Sequence, residues 1–201
     1  MDAQKPILAI TMGDPSGIGP EVVLKALAHP EIFDICNPLV IGDRRILERA
    51  MPNLGIAPLH IDDAGGPATA VFQPGTVTLI DLRNADPAQC PWGEISPASG
   101  TAAVEYVFAA CDMAMAGEVD AIVTAPLNKA AMFAAGFHYA GHTELLTERT
   151  HAEKVSMLLI GPKLRVVHVS THVALTEAIA RVKKQRVMDV IQIAYDACRA
   201  L

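Results

Sequence analysis

Ile7-Leu8-Ala9-Ile10-Thr11-Met12-Gly13-Asp14-Pro15-Ser16-Gly17-Ile18-Gly19-Pro20-Glu21 decides the fold. A five-residue apolar run, Ile7 to Thr11, reads as a buried strand. A glycine-rich loop follows at once. Pro20 then stands at a first helical position with Glu21 in the first turn, and both are helix-start signals. The helical pattern continues to Ala28. A strand, a glycine-rich loop and a helix in immediate succession open an α/β unit. The loop is close to two nucleotide fingerprints and matches neither. A dinucleotide fingerprint starting at Gly17 needs glycine where Val22 stands. A phosphate loop starting at Gly13 needs glycine and lysine where Ile18 and Gly19 stand. The loop either presents backbone N–H groups to an anion or is a tight structural turn. Asp14, at the carboxyl end of a strand, is a candidate site residue, because ligands of open α/β sheets bind there.

The same grammar repeats downstream. Pro38 to Gly42 is a second strand, followed by a helix from Asp43, a suitable N-cap, to Met51. Leu59 to Ile61 and Val77 to Leu82 are further strands. Asn84 to Ser96 is irregular, and its Trp92 is either a loop anchor or a contact with another chain. A long helix runs from Ser99 to Ala116 with a stripe of small residues, Ala103, Val107, Ala110, Cys111 and Ala114, and Gly117 ends it. Val119 to Thr124 is the next strand. Asn128 and Lys129 follow in a polar turn, at a strand end like Asp14. Ala130 to Ala135 and the segment from Gly141 are helical, the latter with His142 or Thr143 as its cap. Val155 to Ile160 and Leu164 to Val169 form a hairpin around Gly161-Pro162. A final helix spans Val182 to Leu201, with Val187, Val190, Ile191, Ala194 and Cys198 on one stripe.

Composition narrows the classes. Of 201 residues, 51% are hydrophobic and only 4% aromatic, so the core is built from Ala, Val, Ile and Leu, as in α/β proteins. The net charge of −6 argues against nucleic acid as a partner. The one basic cluster, Arg181 to Arg186, reads as a solvated helix start. Cys36, Cys90, Cys111 and Cys198 form no C-x-x-C pair and read as free thiols of a reducing compartment. No signal pattern opens the chain and no run of about 18 apolar residues exists. The expected setting is the cytoplasm, without membrane attachment.

Four of the seven histidines lie from His142 to His172. His168 and His172 could share a metal ion only on a helix, where residues four apart are neighbours. Val166, Val167, Val169 and Val173 make the stretch a strand, where four residues span about 13 Å. At most one of the two is then a ligand. His172, where the strand gives way to a loop, is the better candidate, against the alternative of a hydrogen-bonded histidine with no metal role.

Four blocks taken together are distinctive: Thr11 to Glu21, Thr124-Ala125-Pro126-Leu127-Asn128-Lys129, Gly141-His142-Thr143-Glu144, and Ser170-Thr171-His172-Val173-Ala174-Leu175. With these blocks the chain resembles the 4-hydroxythreonine-4-phosphate dehydrogenase family of vitamin B6 biosynthesis. The resemblance implies oxidation, with NAD or NADP, of a secondary alcohol beside a carboxylate in a small phosphorylated hydroxy acid, 4-phosphooxy-L-threonine, followed by decarboxylation. It implies an isocitrate/isopropylmalate dehydrogenase-like fold of two α/β lobes around a cleft. A homodimer completes each active site at its interface, and three histidines hold a divalent metal (Zn, Mg, Co or Mn). His142 and Thr143 match the family's substrate-binding pair and His172 its first metal histidine, which leaves His168 a structural role. The chain is shorter than family members. The expectation is a first lobe over residues 1–129 and a second lobe, truncated, over 130–201, with the remaining metal and NAD ligands beyond Leu201 and the chain alone inactive. The wording of 168–175, and Leu145-Leu146 after Glu144, resembles a branch acting on 4-phospho-D-threonate. A further branch oxidises aromatic cis-dihydrodiols. The alternative to an enzyme is a ligand-binding or dimerising remnant.

Overall fold

The computed structural model describes residues 5–200. Five strands form one parallel sheet: β1 (Ile7–Thr11), β2 (Asn37–Gly42), β3 (His60–Asp63), β4 (Thr76–Asp81) and β5 (Ala121–Thr124), in the order β3-β4-β2-β1-β5. Every neighbouring pair is parallel, with β1 in register Leu8↔Ala121 to β5 and Ile7↔Asn37 to β2. The helices of this part are α1 (Gly19–Leu27), α2 (Ile32–Ile35), α3 (Arg44–Ala50), α4 (Pro97–Met115), α5 (Lys129–Ala134) and α6 (His142–Arg149).

The order of strands dictates where the helices go. β1 to β2 and β2 to β3 step across the sheet in one direction, whereas β4 to β5 steps back in the other. Right-handed crossovers in both directions place α1 and α3 on one face and α4 on the opposite one. The packing agrees: α1 lies against α3, while α4 crosses β1, β2 and β5 and carries α5 and α6. The core is aliphatic, with Ala9, Leu39, Val40, Ile41, Leu47, Val77 and Leu79 among its fully or almost fully buried members. Tyr106 of α4 is its largest fully buried side chain. A sheet covered on both faces requires such continuous apolar strands.

Helix starts follow the sequence signals. Asp43 caps α3 by accepting from Arg45 N at 3.0 Å, and Asn128 caps α5 by accepting from Ala130 N and Ala131 N. Ser96, one turn before the expected start, caps α4 through Ser99 N. At α6 the expectation is corrected: Gly141 is the N-cap and no side chain caps it, so His142 and Thr143 lie inside the first turn. Gly100 and the α5 backbone show why α4 carries small residues. A Cβ on Gly100 would overlap the Ala131 carbonyl, so the two helices approach to backbone contact.

The contacts divide the chain into two compact units, Met1–Thr150 and His151–Leu201. The expected 129/130 division falls inside the first unit, because α5 and α6 pack on α4. The second unit holds an antiparallel hairpin, β6 (Leu158–Ile160) and β7 (Arg165–Val167), then α7 (Leu175–Arg181) and α8 (Lys184–Ala200). The hairpin is shorter than its apolar runs suggest, and α7 is a separate helix ahead of the final one. The stripe on α8 is also corrected. Val190 is buried, and Val187, Ile193, Ala194 and Ala197 are half-buried beside it, but Ile191 and Cys198 are exposed. Arg186 braces this unit by donating to Val169 O at 2.9 Å and to Ser156 Oγ at 2.8 Å. The basic run that contains it is therefore only partly a solvated face.

Gly100→Ala tests the close approach of α4 and α5. The added methyl forces the helices apart, and urea unfolding is expected to show a loss of about 1–3 kcal/mol, the usual range for overpacking.

Candidate functional site

The loop after β1 and the loop after β5 leave the sheet toward opposite faces, which opens a crevice at their carboxyl ends. A cleft of about 420 Å³ occupies this position, lined by Asp14, Gly17, Ile18, Pro126, Leu127, Asn128 and Lys129. The strand-end candidates Asp14, Asn128 and Lys129 thus share one cavity although more than a hundred residues separate them.

Backbone geometry holds the two loops together. Gly13 has φ +76°, and a Cβ there would overlap Pro126 O, so both its conformation and its space require glycine. Asp14 N then donates to Pro126 O at 2.9 Å. Ser16 N donates to Asp14 Oδ1 at 2.8 Å and Gly17 N to Asp14 O at 3.0 Å, which closes a turn. Asp14 is only 3% exposed. Burial raises its carboxyl above the ordinary range, against the opposing hydrogen bond from Ser16 N.

Sequence reasoning missed the residues beneath this loop. Arg49 of α3 donates to Pro15 O at 2.9 Å, Cys90 O at 2.7 Å and Pro87 O at 3.2 Å. Its guanidinium lies 5.0 Å from the centre of the Trp92 ring, so Trp92 is a loop anchor. Ser16 Oγ meets Ser99 Oγ at 2.5 Å, and Gly93 N donates to Ser16 O at 2.9 Å. The irregular 84–96 segment is thus a fixed support for the Asp14 loop. An arginine in a helix's last turn gave no sign of this in the sequence, because its partners are carbonyls of distant loops.

His142 joins the same region through Ala125. Burial lowers its pKa, while a hydrogen bond to the Ala125 backbone works the other way. Its Nε2 is buried and has no partner. A buried polar atom without a partner is costly in a finished structure, and a ligand would satisfy it. Thr143 is exposed in the first turn of α6 beside it, and its carbonyl accepts from Thr147 Oγ1.

The second unit holds the other two candidates. His168 is half-buried just past β7, with Nδ1 3.3 Å from Met157 O and its N–H donating to that same carbonyl at 3.1 Å. It is hydrogen-bonded within the hairpin, in keeping with a structural role. His172 is exposed in a bend and adopts φ +56°, an uncommon conformation for a residue with a side chain. Among the described residues no group of three His, Cys, Asp or Glu side chains could hold a metal ion. A catalytic metal needs about three protein ligands, so the residues here do not by themselves form one. All four cysteines are free, Cys198 alone being exposed. Among the described residues no helix is long and apolar enough to cross a membrane.

In a doubly wound α/β unit, a cleft at the switch point is where small ligands characteristically bind. Comparison with known proteins makes this specific: the model of the pyridoxal phosphate biosynthetic protein PdxA family matches residues 34–201, and the chain belongs to that family. It is 45% identical over 187 residues to a D-threonate 4-phosphate dehydrogenase of Cupriavidus necator, covering 93% of this chain and 56% of the relative. It is 41% identical to a 4-hydroxythreonine-4-phosphate dehydrogenase of Desulfosudis oleivorans, covering 97% of this chain and 57% of the relative. A crystal structure of the 4-hydroxythreonine-4-phosphate dehydrogenase of Klebsiella pneumoniae superposes with a TM-score of 0.91 at 35% identity, covering 99% of this chain and 60% of that one. The chain therefore spans a little over half the length of the relatives it matches.

Two substitutions test the site's construction. Arg49→Ala removes three hydrogen bonds from one charged group and should cost about 2–3 kcal/mol in chemical unfolding, with Arg49→Lys recovering only part. Asp14→Asn should raise the melting temperature at neutral pH. The folded carboxyl has a raised pKa, so ionising it disfavours the fold as pH rises through and above the ordinary carboxylate range. The advantage of asparagine should vanish below about pH 4, where aspartate is protonated in both states. An equal effect at all pH values would contradict the burial of an ionisable Asp14.

Proposed function

We propose that this chain is part of a dehydrogenase that uses NAD or NADP to oxidise the secondary alcohol of a small phosphorylated hydroxy acid, with 4-phosphooxy-L-threonine as the first candidate, in pyridoxal phosphate biosynthesis. Family membership supports the reaction class, and the unpartnered Nε2 of His142 is the observation in the fold that supports a ligand. The 45% identity to a D-threonate 4-phosphate dehydrogenase favours a second substrate, 4-phospho-D-threonate, for the same chemistry.

The residues suit parts of this task. The His142 ring is kept neutral near pH 7 by burial. Nε2 has no partner of its own and, when the ring proton sits on Nδ1, can accept a hydrogen bond from a hydroxyl or from a protonated phosphate oxygen of the substrate. Thr143, one residue on and exposed, offers a hydroxyl to the same ligand. Bound NAD or NADP would supply the hydride acceptor. His172 is offered as one ligand of a divalent metal (Zn, Mg, Co or Mn). The described residues bring no second or third ligand to it, and no catalytic step is derived through the metal. The isocitrate dehydrogenase-like pair of lobes, the incomplete second lobe, the homodimer with its site at the interface and the cytoplasmic setting belong to this same reading.

The test pairs calorimetry with an assay for NADH. Binding of 4-phosphooxy-L-threonine or 4-phospho-D-threonate is expected, weakened tenfold or more in His142→Ala, a loss of about 1.4 kcal/mol. NADH formation that stops on chelation would establish the metal-dependent dehydrogenase. Binding without turnover would establish a ligand-binding remnant, and binding of neither compound would sink the substrate class.

A further inference from the structure

We propose that Arg149, gripped by Asp112 and Phe108 of α4, is a positioning residue that fixes the tilt of α6 and so holds the His142 ring where a ligand meets it. The inference rests on the reading of His142 as a substrate contact and adds to it the device that aims the ring.

α6 is held at few points. It is eight residues long, and no side chain caps its N-terminus. Of its residues Leu145 alone is buried. That side chain sits in a small satellite core with Val104, Val107 and Cys111 of α4 and Met132 of α5. One buried side chain fixes where a short helix lies but leaves it free to rock about that contact. A second contact, at a distance from the first, stops the rocking.

Arg149 supplies it. Its Nε donates to Asp112 Oδ1 at 2.7 Å and its Nη2 to Asp112 Oδ2 at 2.5 Å. Such a fork is directional as well as attractive. The guanidinium carbon also lies 5.0 Å from the centre of the Phe108 ring, within cation–π range. Phe108 and Asp112 are four apart on α4 and therefore share a face. Phe108 in turn meets Phe137 edge to face, with ring centres 6.4 Å apart. The grip on Arg149 thus comes from α4, the helix that also packs on Leu145.

Spacing makes these contacts a lever. His142, Leu145 and Arg149 are three and then four apart, so they line one face of α6. At 1.5 Å per residue, Arg149 lies about 6 Å beyond the Leu145 fulcrum and His142 about 4.5 Å before it. A tilt that frees Arg149 displaces His142 by a similar amount. Hydrogen-bond lengths fall in a window of about half an ångström, so a small rocking is enough to spoil a contact to the ring. Stability is not the purpose of the pair. Its side chains are 41% and 56% exposed, and exposed ion pairs contribute little to folding. Tyr139 donates to Glu148 Oε1 at 2.8 Å, but that bond ties α6 to its own lead-in loop and cannot replace the grip of α4.

The experiment is an NMR titration of the His142 ring in the 201-residue chain, assigned by its loss in His142→Ala, together with calorimetry using 4-phospho-D-threonate. Burial holds the ring below the ordinary histidine pKa. Arg149→Ala and Asp112→Ala should both move it upward, because rocking exposes the ring. The two substitutions remove opposite charges, so a purely electrostatic effect would move the ring in opposite directions. Arg149→Lys keeps the charge without the fork and should leave part of the shift. The exchanged pair, Asp112→Arg with Arg149→Asp, should return the ring toward its starting value. Affinity should fall about threefold or more in each single alanine variant, with no further loss when Arg149→Ala is added to His142→Ala. A ring that titrates alike in every variant, or moves in opposite directions in the two single variants, would overturn the proposal. So would an equal loss of affinity on Arg149→Ala with and without His142. The two readings fail separately, because the ring titration needs no ligand. Failure of 4-phospho-D-threonate and 4-phosphooxy-L-threonine to bind sinks the substrate reading and leaves the lever to be decided by the titration, whereas binding in a protein whose ring ignores Arg149 sinks only the lever.

Discussion

The contact between Gly13 and Pro126 is the constraint on which the candidate site depends. Two strands adjacent in the sheet, β1 and β5, end in loops that turn toward opposite faces. Left to themselves such loops diverge. Here the left-handed backbone of Gly13 lets the first loop lie directly on the second, and Asp14 N closes the contact on Pro126 O. No other residue type fits, because the space a Cβ would need is taken by a carbonyl. With that contact in place, Asp14 is turned into the crevice and the Asn128 cap stands opposite. Met12, just before Gly13, is fully buried and anchors the approach.

The support beneath the loop is polar, and it lies in irregular chain. Arg49 ties three carbonyls from two separate loops and stacks on Trp92. A guanidinium suits this task, because its planar fork presents five donors in fixed directions. Buried loop carbonyls need partners as much as helix ends do, and Arg49 provides them where no strand ladder can. Asp43 acts similarly for the next strand end. Burial alone would push its carboxyl upward, but hydrogen bonds from Arg45 and Ala85 N outweigh that and hold it below the ordinary range. Two buried aspartates at neighbouring strand ends thus differ in charge preference. Asp43 has both oxygens filled by protein donors, whereas Asp14 accepts at one oxygen only, from Ser16 N, among the described residues.

The two histidine candidates that share a strand-and-loop stretch also separate on physical grounds. His168 closes the β6–β7 hairpin through Met157 O and is satisfied within its own unit. His172 is exposed, in a left-handed bend, and belongs to no cluster of three metal-binding side chains among the described residues. His142 is the reverse case, a half-buried ring whose Nε2 is buried and left without a partner.

By itself the sequence determined the alternation of strands and helices, the caps Asp43, the carboxyl-end position of Asp14 and Asn128, and the family resemblance. These are local matters: an apolar run, a proline at a first turn, a short polar side chain ahead of a helix. Family membership was legible because four short blocks recur together, and no three-dimensional information is needed to see them. Only the tertiary structure decided that Asp14 and Lys129 face one cleft, that Gly141 and not His142 or Thr143 caps α6, and that Arg49 and Trp92 hold the loop. The first of these depends on strand order, since β1 and β5 become neighbours only when β4 to β5 crosses back over the sheet. The α8 stripe failed for a related reason, its dependence on contacts distant in sequence. Its apolar residues could face either way, and the partners that select Val190 over Ile191 lie in other elements, where no helical period can point to them.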